Sequence, residues 1–188
     1  MVAALLLLLL SPLMLAIAAW IRLDSPGPAL FRQLRVGRRG VPFRMHKFRT
    51  MRADAGGSAL TLQHDPRITR AGAWLRPRRL DELPQLLDVL AGTMSLVGPR
   101  PEVPHYVALY PAALRERALA VRPGITSPAA LEFLDEAEQL ARAADPEREY
   151  VQTILPRKAQ LAADYADQAS LRADLTILLR TLRRLIDG

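Results

Sequence analysis

Residues 5–20, LLLLLLSPLMLAIAAW, decide how the rest of this 188-residue chain is read. No charged side chain occurs before Arg22. A straight helix over residues 1–21 would be about 31 Å long, close to the hydrocarbon thickness of a bilayer. Yet Ser11-Pro12 lies in its middle, and proline inside a helix removes a backbone hydrogen bond and crowds the preceding turn, at roughly 3 kcal/mol. Three readings compete: a spanning helix, a cleaved signal sequence, and a helix that enters the membrane, bends at Ser-Pro and leaves on the same side. Ala16-Ile17-Ala18 fits a small-x-small cleavage site, but no Lys or Arg precedes the apolar run as a secretory leader requires. The basic residues follow it instead: Arg22, Arg32, Arg35, Arg38, Arg39, Arg44, Lys47, Arg49 and Arg52. The positive-inside rule therefore keeps the downstream chain in the cytoplasm. An uncharged N-terminus leaves the choice between crossing and turning back open.

The chain beyond this segment has room for one domain with its own core. With no cysteine it has no disulfide, no thiolate nucleophile and no zinc-thiolate site. The net charge of +7 is unevenly placed, because residues 22–100 carry 15 Lys/Arg and 6 Asp/Glu, whereas residues 101–188 carry 11 and 13. A basic half beside a membrane segment points to anionic headgroups or a phosphorylated substrate. Nucleic acid does not fit, since the basic half lacks interleaved aromatics and any zinc-finger or RRM pattern.

Outward along the chain, Asp24-Ser25-Pro26-Gly27-Pro28 ends the apolar segment. Two half-alternating runs, ALFRQLRV and VPFRMHKFRTM, flank a Gly-bounded turn and read as a β-hairpin, with Phe31, Val36, Phe43 and Phe48 expected to give it an apolar side. Residues 53–72 are loop-rich. Leu83, Leu86, Leu87 and Leu90 have the spacing of a short amphipathic helix. SLVGPRPEVP reads as an extended, proline-stiffened loop. Residues 105–120 and 130–144 read as helical, divided by PGITSP. Leu171, Leu175, Leu178, Leu182 and Leu185 form a heptad-like stripe opposed by Arg180, Arg183 and Arg184, expected to pack on the domain unless the membrane or a partner takes it.

The densest chemistry lies in RPRRLDELP, residues 76–84. Asp81 and Glu82 fall at the expected start of the helix over 83–90, just after three arginines. One reading makes Asp81 a helix N-cap and Glu82 a favourable first-turn acid. The other has the acids hold a divalent cation while the arginines hold phosphates, with Asp81 able to attack phosphorus. Lys47 and Arg49 on the second hairpin arm, and Arg100 between two prolines, are further candidate phosphate contacts. His46, His64 and His105 have no metal-ligand spacing, and Asp65-Pro66-Arg67 reads as a turn with an internal charge pair.

Five stretches in this order resemble a family: LLLLLLSPLMLAIAAWIRLDSPGPALFRQLRVG, PFRMHKFRTM, DPRITRAG, LRPRRLDELPQLLDVLAGTMSLVGPRPE and VRPGIT. The chain is similar in them to the bacterial sugar transferases known as monotopic polyprenyl-phosphate phosphoglycosyl transferases. The resemblance implies an enzyme that moves a sugar-1-phosphate from a nucleotide diphosphate sugar, usually a UDP-sugar, to polyprenyl (undecaprenyl) phosphate. That step initiates surface glycans such as exopolysaccharide and lipopolysaccharide. It further implies Mg²⁺, held at Asp81 and Glu82, and a ping-pong route in which Asp81 is the nucleophile and Glu82 its partner acid. Lys47, Arg49, Arg76, Arg100 and Arg122 would contact substrate. Membrane lipids and downstream glycosyltransferases are the implied partners, and the bacterial inner membrane, with catalysis on its cytoplasmic face, the implied location.

The fold expected is α+β and mainly helical. A re-entrant membrane helix over residues 1–23, broken at Ser11-Pro12, precedes a cytoplasmic catalytic domain over 24–188, with a small β-hairpin and amphipathic helices at the membrane surface. Two departures stand out. The family's basic lead-in before the apolar helix is missing from this sequence, and SPAALEFLDEAEQL follows Pro123-Gly124-Ile125-Thr126 where relatives carry a Gly-rich segment. A non-catalytic basic module that recruits acidic lipids or glycan-assembly partners is the alternative, and hydrolysis of the donor a third reading.

Overall fold

The structure, a computed structural model, describes residues 1–52, 60–62 and 65–187, with side chains through Arg184. His64 and Leu185 fall outside the described side chains.

Helix α1 (Val2–Asp24) is one continuous helix with Pro12 inside it. The expected break at Ser11-Pro12 is therefore not a loss of helix. Proline lacks the N–H that would bond the carbonyl four residues back, that of Leu8, and the Ser11 hydroxyl donates to this same oxygen at 2.8 Å. The side chain thus replaces the missing backbone donor, which lets helices tolerate proline where water is scarce. Among the described residues α1 is the one helix long and apolar enough to cross a bilayer. Its leucines at 5, 8, 9, 15 and 23 are exposed, whereas Ala3, Ile17 and Ile21 are buried.

Strands β1 (Leu30–Val36) and β2 (Pro42–Phe48) form the expected antiparallel hairpin, with Phe31 opposite Lys47 and Arg35 opposite Phe43. Its single apolar side is not realised. Side chains alternate along a strand, so Phe31 and Val36, five residues apart, must face opposite ways. Val36 and Phe48 are buried, but Phe31 is exposed on the face that carries Lys47, Arg35 and Phe43.

Helix α2 (Arg70–Leu75) leads through a tight turn (Leu80–Glu82) into α3 (Gln85–Leu90), two residues later than the leucine spacing implied. Strands β3 (Ser95–Val97) and β4 (Gly124–Thr126) then pair in parallel, in segments read from sequence as loops. They cross at two glycines: a Cβ on Gly124 would lie 2.1 Å from the Gly98 nitrogen, and one on Gly98 2.4 Å from the Arg122 carbonyl oxygen. The stretches expected as long helices are cut shorter, into α4 (Pro104–Ala108), α5 (Ala112–Ala118), α6 (Pro128–Glu132) and α7 (Glu136–Arg142). Pro104, Pro111 and Pro128 stand at or beside three of these starts, where a missing N–H is harmless. Helix α8 (Pro146–Glu149) runs through a wide turn into α9 (Leu155–Gln168), and α10 (Leu171–Asp187) closes the chain.

Two apolar clusters hold the elements together. Ile17 and Ile21 of α1 meet Ala29, Phe48, Ala71 and Leu75, with Leu80 and Leu83 against them. Tyr106, Tyr110, Leu140, Tyr150, Ile154 and Leu155 form the other. Most of the stripe on α10 does not pack on the domain: Leu171, Leu175 and Leu182 remain exposed, and Leu178 is half-buried. The helix is fastened instead by a Tyr165–Asp174 hydrogen bond of 2.6 Å and a Thr126–Thr181 contact of 2.7 Å.

Candidate active site

Arg76 is set by the start of its own helix. The Thr69 hydroxyl accepts from the Gly72 N–H at 3.0 Å and caps α2, while the Thr69 N–H donates to the Thr50 carbonyl at 3.0 Å. Thr50 then also receives Arg76 Nη1 at 3.4 Å. Gly72 is required there, because a Cβ would sit 2.1 Å from the Thr50 oxygen. Past Pro77, Arg79 adopts a left-handed backbone (φ 52°, ψ 20°) that reverses the chain into the turn at Leu80–Glu82. An Arg in this region carries local strain, of the kind that concentrates at functional sites.

Leu80 and Leu83 enter the cluster around α1, and the two acids between them belong to the opposite task. Glu82 is 8% exposed and accepts from Arg100 Nη2 at 2.5 Å, with Arg79 Nη1 4.0 Å from its other oxygen. Burial alone would raise its pKa, but the Arg100 charge and hydrogen bond overcome this and hold Glu82 below the usual carboxylate range. Asp81 does not cap α3, whose N-cap position is Pro84 with no side-chain bond. Its carboxylate makes no hydrogen bond or ion pair with any described residue. Burial, then the Glu82 charge, push its pKa up, against the pull of Arg76, Lys47 and Arg100. It is an available carboxylate facing three cations.

Lys47 reaches this group from β2. Burial, then the neighbouring Arg35, lower its pKa to about 8, with Asp81 opposing. Arg35 is itself pinned, donating to the Pro101 carbonyl at 2.9 Å, Glu102 Oε1 at 3.1 Å and Gln33 Oε1 at 2.8 Å. The Tyr150 hydroxyl donates to the other Glu102 oxygen at 3.1 Å. Arg100 is held by the glycine crossing: the Gly98 N–H donates to the Thr126 carbonyl at 3.0 Å and the Gly124 N–H to the Pro99 carbonyl at 2.9 Å. The two motifs GPRP and PGIT thus act together, the second fixing the loop that aims Arg100 at Glu82.

The structure brings Lys47, Arg76, Arg100, Asp81 and Glu82 together, and leaves Arg49 and Arg122 apart from them. Arg49 is buried and donates to carbonyls and the hydroxyl at the end of α1: Pro28 O at 2.7 Å, Ser25 Oγ at 2.6 Å and Ser25 O at 2.8 Å. It locks the apolar helix to the strand that bears Lys47. Asp24 does the same from the other side, accepting the Ala71 N–H of α2 at 3.0 Å. Arg122 is exposed, with its guanidinium near Gly92, just past the end of α3 opposite the acids. His46 pairs with Asp88 at 2.8 Å and fastens β2 to α3, and Asp65 pairs with Arg67 at 2.6 Å as the turn reading implied. The sequence marks Arg35 only as one of the basic residues in the first hairpin arm and Glu102 only beside the GPRP turn, and gives no signal for Tyr150.

Among the described residues no three His, Asp or Glu side chains gather as a cation cage. Mg²⁺ does not require one, since it is usually held by one or two carboxylates plus substrate phosphates and water. The unpaired Asp81 carboxylate beside Glu82 fits that mode.

The bacterial sugar transferase family matches residues 1–188, the whole chain. This chain belongs to that family. Among curated relatives, a UDP-glucose:undecaprenyl-phosphate glucose-1-phosphate transferase of Caulobacter vibrioides is 43% identical over 98% of this chain and 66% of its own. A UDP-N-acetylgalactosamine-undecaprenyl-phosphate N-acetylgalactosaminephosphotransferase of Aeromonas hydrophila is 37% identical over 96% of this chain and 40% of its own. An exopolysaccharide production protein of Rhizobium leguminosarum is 55% identical over half of this chain and 48% of its own. This sugar-transferase chain therefore spans less than two thirds of the length of these relatives.

Proposed function

We propose that this chain transfers a sugar-1-phosphate from a UDP-sugar to a polyprenyl phosphate, through a phosphoryl-aspartate at Asp81. One observation carries the reading: Asp81 is a free carboxylate beside a carboxylate that is already neutralised, in reach of Lys47, Arg76 and Arg100. Such a set suits a diphosphate, whose charge needs several cations, and a nucleophile that must stay free to react.

The Asp81 oxygen attacks the phosphorus bonded to the sugar oxygen. The bond from that phosphorus to the bridging oxygen breaks, and UMP leaves with the electron pair. An oxygen of the polyprenyl phosphate then attacks the same phosphorus and expels the Asp81 carboxylate, so no net proton is needed. Lys47, Arg76 and Arg100 neutralise the phosphate oxygens in both steps, and Glu82 positions Arg100 before the donor binds. Mg²⁺ held at Asp81 and Glu82 would supply further neutralisation of the diphosphate. The relatives' names support the donor and acceptor classes.

A location at the cytoplasmic face of the bacterial inner membrane is supported by α1 and by an exposed aromatic pair at its far end. Trp20 and Trp74 meet edge to face at 5.5 Å, with Arg78 4.4 Å from the Trp74 ring. Indole rings with a neighbouring guanidinium suit the headgroup level, and Trp74 lies two residues before Arg76. With α1 seated in the membrane, its packing against Leu80 and Leu83 would hold Asp81 near the depth of the lipid phosphate. Downstream glycosyltransferases would consume the product.

The test is release of UMP from a panel of UDP-sugars, with and without polyprenyl phosphate and Mg²⁺. Turnover dependent on the lipid, and lost in Asp81→Asn with folding intact, is the expected result. Turnover of Asp81→Asn at the unsubstituted rate would sink the assignment, and no UMP release from any donor would favour a non-catalytic lipid-binding module.

A further inference from the structure

Gln85 opens α3 and is 1% exposed, yet its Nε2 has no hydrogen-bond partner and its carboxamide bonds to no described residue. Buried N–H groups without an acceptor are destabilising and rare in folded proteins. The backbone is helical from the turn at Leu80–Glu82 into α3, so side chains three apart share a side. Gln85 stands three residues after Glu82 and three before Asp88. Both acids are buried, and each is held from outside the helix. Asp88 spends both oxygens on His46, one on the ring at 2.8 Å and one on the backbone N–H at 2.9 Å. Glu82 depends on Arg100 at 2.5 Å, its next cation being Arg79 at 4.0 Å.

That dependence conflicts with the task assigned to Arg100. Arg100 grips Glu82 through Nη2 alone, so a diphosphate that recruits both prongs of the guanidinium competes with that bond, and a buried carboxylate stripped of its partner is strongly disfavoured. We propose that Gln85 is the reserve donor for Glu82: as the diphosphate draws Arg100 away, the Gln85 Nε2–H swings to the carboxylate and holds it. Gln85 is then a positioning residue, acting on substrate through Glu82 and Arg100. The inference rests on the proposed diphosphate donor.

Gln85→Met keeps the length of the side chain and removes the donor. In the otherwise unsubstituted protein its melting temperature should equal or exceed the original, because an unpaired polar group has been replaced by an apolar one. Its affinity for UDP, which carries the diphosphate whatever sugar is preferred, should fall by roughly tenfold or more. In an Arg100→Met background Glu82 has lost its close partner before any ligand arrives. There Gln85→Met should lower the melting temperature, reversing its sign. A lowered melting temperature in the original background, the same change in both backgrounds, or unchanged UDP affinity would each overturn the proposal. If the unsubstituted chain binds no UDP, the donor reading fails, and the melting comparison in the two backgrounds alone decides the role of Gln85.

Discussion

Raising the pH through 8 should weaken donor use and strengthen the fold, through the same side chain. Lys47 is buried and feels the charges of Arg35, Arg100 and Arg76, and its pKa falls from 10.5 to about 8. At pH 7 roughly nine tenths of the molecules carry the charge, and at pH 9 about one tenth. In the proposed mechanism the charged form binds the diphosphate, so kcat/KM for the donor should be level below pH 7.5 and fall about tenfold per unit above pH 8. The stability effect has the opposite sign. Between pH 8 and 10.5 the unfolded chain holds this proton and the folded chain does not, so the Lys47 contribution to stability rises with pH across that window. The shift corresponds to about 3 kcal/mol given up at neutral pH, when the folded protein is charged there. Lys47→Met should therefore melt higher than the original at pH 7, with the difference shrinking by pH 10, while donor turnover collapses. Lys47→Arg should keep turnover and lose the falling limb near pH 8, because a guanidinium does not titrate there. Steady-state rates from pH 6 to 10 with parallel thermal melts check both signs. A limb at the same pH in Lys47→Arg, or Lys47→Met melting lower than the original at pH 7, would refute the reasoning.

Arg100→Lys should retain the fold and recover only part of the donor use that Arg100→Ala loses, since an ammonium keeps the charge without the two-pronged geometry; equal kcat/KM for Lys and Arg would show that the fork is irrelevant. Gly124→Ala should be far more damaging than its size suggests, because the new Cβ would lie 2.1 Å from the Gly98 nitrogen and 2.4 Å from the Val97 carbonyl carbon, both backbone; a melt within a degree of the original would mean that the β3–β4 crossing yields easily. Helix α1 is already continuous and long enough to span, so replacing Ser11-Pro12 by Ala-Leu removes the one position at which a re-entrant helix would bend. The chain has no cysteine, so a single thiol from Val2→Cys reports topology on intact cells: protected from an impermeant reagent in the original, labelled in the Ala-Leu variant. Labelling in both would show that α1 already crosses.

Features set by near neighbours were legible in the sequence. Twenty-one residues without charge mark the apolar helix. The Gly-bounded turn specifies the hairpin, and even the answer to Pro12 is local, since the Ser11 hydroxyl reaches a carbonyl three residues away. The pairing of Asp81 with Glu82 after a cluster of arginines marks the site for the same reason. What sequence distance hides, the tertiary structure decided. Arg49 and Lys47 differ by two positions and carry like charge, but one is drawn under the end of α1 by carbonyl groups and the other is left beside Asp81. Arg100 meets Glu82 because two glycines 26 residues apart let the backbones of β3 and β4 touch, a contact no local pattern encodes. The leucines of α10 have the same periodicity whether they are covered or bare, and the Tyr165–Asp174 and Thr126–Thr181 hydrogen bonds fix the rotation of the helix that leaves Leu171, Leu175 and Leu182 outward. Charge and periodicity state what a side chain can do; which neighbour it meets depends on the long-range fit of backbone and core, and that is fixed only when the whole chain has folded.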